Sequence, residues 1–300
     1  MNHEITVSLA ICTMDRCEDV LICVKSILQQ DFLPKEIVVI DSSDNRILEK
    51  ELEMLLKDSQ IELNYINVKA NLTKARNIAI DQSKYKIISF LDDDTVLDKN
   101  YLKEIVRVFE KNLHNNIGGV SGNIINGYQS FLRDKFNKLF FLFRYSDGKF
   151  RLSGIQTFVD KKVDKIIPVE GLSGANMSFK KDVIKKITFD EDSPCSEDDD
   201  IAWRISKEFQ NYYTPFALIE HNPSSTGGGY GKRSERWAQE IQGLHNHFTK
   251  NIPKTLKHRI AFRISLLGLV INEIINIILL RKGSLTQLFG VLKGIASLYK

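Results

Sequence analysis

Between residues 5 and 91, short apolar runs alternate with segments of helical spacing, and this alternation constrains the fold more than any other feature of the chain. Ile5 to Thr13, Glu36 to Ile40, Ile61 to Val68 and Lys86 to Leu91 read as strands. Asp19 to Gln30, Ile47 to Lys57 and Thr73 to Ser83 read as helices; in the first of these Val20, Cys23, Ile27 and Leu28 fall on one face. Strands separated by helix-length connections pair in parallel, so a mostly parallel α/β sheet flanked by helices is expected. Further on, Asp98 is placed to cap a helix running to about Asn112, with Tyr101, Leu102, Ile105, Val106 and Phe109 as its apolar face. Gly118 to Ile125 reads as a strand, Gly171 to Lys180 as loop then strand, Ser196 to Phe209 as a helix and Tyr212 to Ile219 as a strand. The Phe-rich stretch 131–143 has no clear assignment, Ser224 to Gly231 is a glycine-rich loop, and the pattern beyond Ser234 is helical.

In open α/β sheets ligands bind at the carboxyl ends of strands. The run Ile87 to Leu91 ends in Asp92-Asp93-Asp94, three adjacent carboxylates that repel one another unless a cation offsets them. Oxygen-rich sites of this kind suit Mg²⁺ or Mn²⁺, and such a metal points to a phosphate-bearing substrate. The plain alternative is helix capping and solvation ahead of Asp98. An EF-hand loop does not fit, because its sixth position is Leu97 rather than Gly and its twelfth is Lys103 rather than Glu.

Three other clusters bear on chemistry. Ser196-Glu197-Asp198-Asp199-Asp200 opens a helix, where acids are favoured by the dipole and Ser196 is a natural N-cap; the same carboxylates facing a cleft include a base able to deprotonate a hydroxyl. Arg76 is either a surface charge or, with Lys74, a diphosphate ligand. His221, just past a strand end, is either structural or a metal ligand.

In this order the motifs resemble family-2 glycosyltransferases of the GT-A fold, over roughly residues 5 to 225. Val7 to Arg16 (VSLAICTMDR) is similar to the family's first strand and nucleotide loop, and Ile37 to Asn45 (IVVIDSSDN) to the strand ending in a base-contacting aspartate. Ala75-Arg76-Asn77, Leu91 to Thr95 (LDDDT, a DXD motif), Gly174-Ala175-Asn176-Met177 and Glu197-Asp198 resemble the family's later elements. The resemblance implies donor binding by Thr13, Arg16, Asp41, Arg76, Asn77, Asp92 near the ribose and Asp93. It implies a Mn²⁺ or Mg²⁺ ion on Asp94, which the nearby His221 is expected to join as a ligand, and an acceptor side formed by Gly174, Asn176 and Arg204. Asp198 becomes the base, with Glu197 beside it, in an inverting transfer from a UDP- or dTDP-type sugar. The Gln-x-x-Arg-Trp motif of processive synthases is absent, since Trp203-Arg204 lacks the Gln, which implies transfer of single sugars. A sugar nucleotidyltransferase is the rival enzyme class, but Cys12 to Arg16 contains no glycine for the loop such enzymes use. A membrane-surface binding protein that kept the fold and lost activity is the non-enzymatic alternative. The expected division is 1–120 for nucleotide-sugar binding, 121–225 for the acceptor and 226–300 as a helical basic extension.

Charge separates the last part from the rest. Of 300 residues, 250–300 carry a net +8 with Glu273 as the single acid, while 1–249 carry a net −4. Ile264 to Leu280 is apolar and bracketed by Arg259, Arg263, Arg281 and Lys282; at about 17 residues it falls short of the ~20 that cross a bilayer. A helix packed on the catalytic domain is one reading. An interfacial helix or helical hairpin on an anionic membrane, near a lipid-linked acceptor of cell-surface polysaccharide assembly, is the other and is preferred. Nucleic acid is not the expected partner, because the basic residues are interleaved with long aliphatics. Four cysteines at 12, 17, 23 and 195 fit no zinc or disulfide pattern and suit a reducing compartment. The start of the chain shows no signal-peptide pattern, so a cytoplasmic location, peripheral on the membrane, is expected.

Overall fold

The computed structural model describes residues 5–111, 116–127, 130–193, 195–223 and 233–299. Its first half follows the alternation read above: β1 (Val7–Thr13), α1 (Cys17–Leu28), β2 (Glu36–Asp41), α2 (Ile47–Leu56), β3 (Glu62–Asn67), α3 (Leu72–Gln82) and β4 (Ile87–Asp92). Strand β1 pairs in parallel with both β2 and β4, and β3 forms the edge beyond β2. Side chains of these strands alternate between two cores. Val7, Leu9, Ile11, Ile37 and Val39 pack with α1, α2 and, beyond β4, with α4 (Tyr101–Lys111). Ala10, Val38, Ile40, Ile88 and Phe90 pack on the opposite face. Strands buried on both faces read as continuous apolar runs, which is why they were visible in the sequence. At the edge, β3 is only half-buried, with Leu63 and Tyr65 against the first core and Ile66 against the second. Asn71 caps α3 by accepting from the Lys74 N–H at 2.9 Å, and Asp98 turns the chain into α4 by accepting from the Asn100 N–H at 3.1 Å.

After β5 (Thr95–Leu97) and α4 come β6 (Ile117–Ile124), α5 (Phe131–Leu139) and the short strands β7 (Tyr145–Ser146), β8 (Phe158–Val159) and β9 (Ile167–Val169). These are followed by β10 (Asn176–Lys180), α6 (Lys181–Lys186), α7 (Glu197–Ser206) and β11 (Gln210–His221). The main sheet runs β3-β2-β1-β4-β10-β6-β11-β5, with β9 paired to β11. β10 inserts antiparallel between β4 and β6, setting Asn176 opposite Leu91 and bringing Gly174 and Ala175 beside the aspartate triplet. β11 ends antiparallel to β5, with His221 opposite Thr95. Three distant stretches thus meet at the carboxyl end of β4.

The chain closes with α8 (Arg233–Asn251), α9 (Leu256–Ile278) and α10 (Ser284–Ser297). A third core joins them: Ile241, Leu244 and Phe248 of α8, Phe262 and Leu266 of α9, and Val291 of α10. Two expectations change here. The unassigned Phe-rich stretch contains α5, and Phe140, just past its end, packs where a Cβ on Gly268 of α9 would stand 2.4 Å away. The apolar helix is also longer than the run 264–280 implies, because α9 begins at Leu256 and takes in Arg259 and Arg263; at 23 residues it has the length to cross a membrane. Its other face is packed: Phe262, Leu266 and Glu273 are buried. The predicted loop Ser224 to Gly231 lies outside the described residues.

Candidate active site

At the end of β4 the three carboxylates point different ways. Asp94 places Oδ1 3.1 Å from His221 Nε2, and Asp92 places Oδ2 3.8 Å from the same nitrogen. One ligand atom from each of Asp92, Asp94 and His221 lies within 4.8 Å of the others. Two carboxylates and an imidazole so close suit a divalent cation such as Mn²⁺ or Mg²⁺. The structure therefore groups Asp92, expected near the ribose, with the expected ligands Asp94 and His221. Asp93 turns inward instead. It accepts from Thr13 Oγ1 at 2.7 Å and from the Arg16 guanidinium at 2.8 Å, so these two residues of the β1 loop grip the triplet from behind. Asp93 and Asp94 are buried, which rules out the solvated-cap reading. Burial pushes the Asp92 carboxyl up to about 7 against the pull of Arg76 and His221, and raises that of Asp93. The bond to Asp94 raises the His221 imidazole. Such a cluster holds protons near neutrality unless a cation displaces them.

Arg76 joins this cluster to the second acidic motif. Its guanidinium, 3% exposed, lies 2.7 Å from Glu197 Oε1, 3.3 Å from the Gly174 carbonyl and 3.4 Å from Asp92 Oδ1. The face of Phe189 lies 5.4 Å from its carbon. Arg76 is not a surface charge: it holds α3, β4 and α7 together, while Lys74 is exposed. Asn77 is likewise engaged within the protein, donating to the Phe189 carbonyl at 3.0 Å and to Glu191 at 2.9 Å and accepting from the Phe189 N–H. Asp41 sits at the end of β2, as the resemblance requires, but is buried there. It accepts from Tyr65 Oη at 2.5 Å and from the Ser43 N–H at 2.8 Å. Burial and that bond raise the Tyr65 hydroxyl.

Asp198 lies in the first turn of α7. Its Oδ2 accepts from the Gly174 N–H and its Oδ1 from the Asp199 N–H, both at 3.0 Å. A Cβ on Gly174 would stand 3.0 Å from Asp198 Oδ2, so a side chain here would press on that carboxylate. Burial pushes the Asp198 carboxyl up to about 6; Glu197 adds to this, while Arg76 and the two N–H donors oppose it. Ser196 stands at the N-cap position, left-handed at φ 58, but its side chain makes no cap bond; Asp198 itself meets the first-turn N–H of Asp199.

The other expected acceptor-side residues stand apart. Asn176 is wholly buried, its Oδ1 accepting from the Gly122 N–H at 2.6 Å. Arg204 bonds Asp200 at 2.9 Å and the Thr188 carbonyl at 2.8 Å, in a separate cleft of about 330 Å³ shared with Lys250 and Asn251. Two further acids stand near Asp198 without a role assigned from the sequence. Asp199 is buried with its carboxyl raised strongly by that burial, and Glu240 of α8 is pushed by burial up to about 7, with Glu197 and Asp198 adding to the effect. Asp199 was visible in the acidic run. Nothing local marks Glu240, which tertiary packing alone brings to α7.

The chain shares 25% identity over 276 residues with poly-beta-1,6-N-acetyl-D-glucosamine synthase of Staphylococcus epidermidis, an alignment covering 90% of this chain and 61% of that protein. Among solved structures, the mannosyltransferase PcManGT of Pyrobaculum calidifontis, in complex with GDP-Man and Mn²⁺, superposes with TM-score 0.61 at 16% identity, over 100% of this chain and 87% of that one. GalNAc-T7 with UDP, GalNAc and Mn²⁺ superposes with TM-score 0.63 at 14% identity, over 83% and 48%. S. aureus TarS does so with TM-score 0.53 at 16% identity, over 89% and 43%. These likenesses establish the GT-A fold. The sequence model of glycosyl transferase family 2 matches residues 8–188, more than half of the chain and all of the motifs from the β1 loop to Gly174, and the chain belongs to that family.

Proposed function

We propose that this glycosyltransferase is metal-dependent and inverting, moving a sugar from a nucleoside-diphosphate donor of UDP or dTDP type to a hydroxyl of a glycan acceptor. The observation that carries the reading is the arginine bridge. Arg76 contacts both Asp92 of the cation-suited group and Glu197, the neighbour of Asp198, so a donor and a base belong to one cleft. Asp92, Asp94 and His221 would hold the ion, which when bound supplies positive charge against the departing diphosphate. Asp198 is held rigidly by two backbone N–H groups and takes the proton of the attacking acceptor hydroxyl. Attack from the face opposite the leaving group gives the inverted product. Glu197 is neutralised by Arg76, which keeps the base's neighbour from accepting the proton in its place.

The relatives' name adds support for a polysaccharide product, and the solved neighbours' titles, with Mn²⁺ beside a nucleotide or nucleotide sugar, support the donor class. The chain spans 61% of the length of the synthase it matches, so the whole activity of that protein is not transferred here. We place the acceptor on a lipid carrier at a membrane surface. Exposed apolar side chains gather on α5 (Phe131, Leu132, Leu139), α9 (Leu267, Ile278) and α10 (Leu285, Phe289), the helices of the basic C-terminal region and the one packed against it. The decisive measurement is release of nucleoside diphosphate by purified protein with Mn²⁺, with and without chelator. Asp94→Ala is expected to abolish release while the far-ultraviolet circular dichroism stays that of the wild type. Chelator-insensitive release, or full activity of Asp94→Ala, would rule out the metal-dependent reading.

A further inference from the structure

A second cavity, of about 210 Å³, opens between α8, α9 and α10, far in sequence from every residue of the active site. Its apolar floor is the stacked pair Phe248 and Phe262, with ring centroids 4.3 Å apart and planes at 17°, extended by Leu298. Its rim carries Lys254, Arg259 and Arg263. All three are exposed, and the single acid of 250–300, Glu273, is buried elsewhere on α9 and bonded to Asn272 and Asn276. Arg259 and Arg263 are four residues apart on one helix face, where like charges repel. The rim also lies at the N-terminal end of α9, where the Thr255 hydroxyl meets the His258 ring at 2.6 Å rather than a backbone N–H of the first turn, so the helix dipole adds positive potential there. An arginine pair in repulsion above an aromatic floor is the chemistry of an anionic amphiphile: a phosphate meets the cations, and the first methylenes of its chain lie on the phenylalanines. The volume admits a head group and the start of a chain, not a whole lipid.

We propose that this cavity binds the phosphate head group of an anionic lipid, fixing how the protein sits on the membrane. The inference rests on the membrane-surface placement above and adds a discrete site to it. The test is isothermal titration of the full chain with soluble dihexanoyl phosphatidic acid below its micellar concentration, a measurement that needs neither donor nor catalysis. The wild type is expected to bind it one to one. The triple variant Lys254→Gln/Arg259→Gln/Arg263→Gln is expected to bind roughly tenfold or more weakly. A control of equal charge change outside the cavity, Arg281→Gln/Lys282→Gln/Lys293→Gln, is expected to bind as the wild type does. Arg263→Gln alone serves if the triple variant melts early, and is expected to weaken binding in the same direction. The proposal is overturned by absence of binding, by equal loss in the control, which reports diffuse charge, or by inorganic phosphate binding as tightly as the lipid. Flotation with neutral and anionic vesicles tests the placement itself: if the wild type floats with neither, the membrane reading fails along with the site. If it floats with anionic vesicles but the triple variant is unaffected in both assays, only the site fails.

Discussion

In the proposed reaction Asp198 is the residue on which the chemistry turns, and its environment sets the pH at which it would work. Burial lifts its carboxyl to about 6, with Glu197 adding to the lift. A base must be ionised, so kcat/KM is expected to fall with unit slope below about pH 6 and to level off above it; a limb near pH 4 would show that another group is titrating. Asp198→Asn is expected to lower kcat by about 10²–10⁴-fold with little change in donor KM, as loss of a general base does. Glu240 makes the opposite kind of statement, about stability. Its carboxyl is raised from 4.5 to about 7 by burial. The folded state binds that proton more tightly than the unfolded chain, so stability is greatest below about 4.5 and declines as pH rises through 7. Glu240→Gln is therefore expected to raise the thermal midpoint at pH 8 and not at pH 4. The gain is of order 1 kcal/mol, because solvent reaches a third of the side chain and screens it.

At the scale of elements, the basic tail is part of the fold rather than an appendage. Helix α10 lies against α8 through two glycines: a Cβ on Gly290 would stand 2.5 Å from the Ser234 carbonyl oxygen, and one on Gly294 2.7 Å from Ile241 Cβ. Gly294→Leu is expected to destabilise the protein by about 1–3 kcal/mol through overpacking, read as a lower denaturant midpoint. A chain cut after Asn251 would uncover Ile241, Leu244 and Phe248, so loss of membrane binding by such a truncation would report unfolding as readily as a lost contact. Point substitutions on the exposed faces are the cleaner probe. α9 packs through Phe262 and Leu266 into the core it shares with α8 and α10, while Leu267 and Ile278 face outward.

For the whole molecule, the site exists because a mixed sheet brings β4, β10 and β11 to one edge, and ligand binding should act on all of it. A nucleoside diphosphate with Mn²⁺, at a hundredfold excess over its Kd, is expected to stabilise the fold by about 2.7 kcal/mol, seen as a rise in thermal midpoint that chelation removes. The diphosphate giving the largest shift identifies the base. The sequence by itself determined the parallel half of the sheet, because strands buried on both faces and amphipathic helices leave periods of composition that local reading detects. It also placed the Asp92–Asp94 triplet at a strand end and singled out His221 and Asp198, since unusual charge in a regular context is visible without coordinates. Only the tertiary structure decided which groups each carboxylate meets. Asp92 joins Asp94 and His221, Asp93 is gripped by Thr13 and Arg16, and Arg76, Asn77 and Arg204 are engaged with the protein's own groups. Glu240 reaches the neighbourhood of Asp198 by a helix packed from the far end of the chain. Hydrogen bonds and ion pairs of this kind join residues far apart in sequence, and long-range pairing leaves no period for the sequence to show.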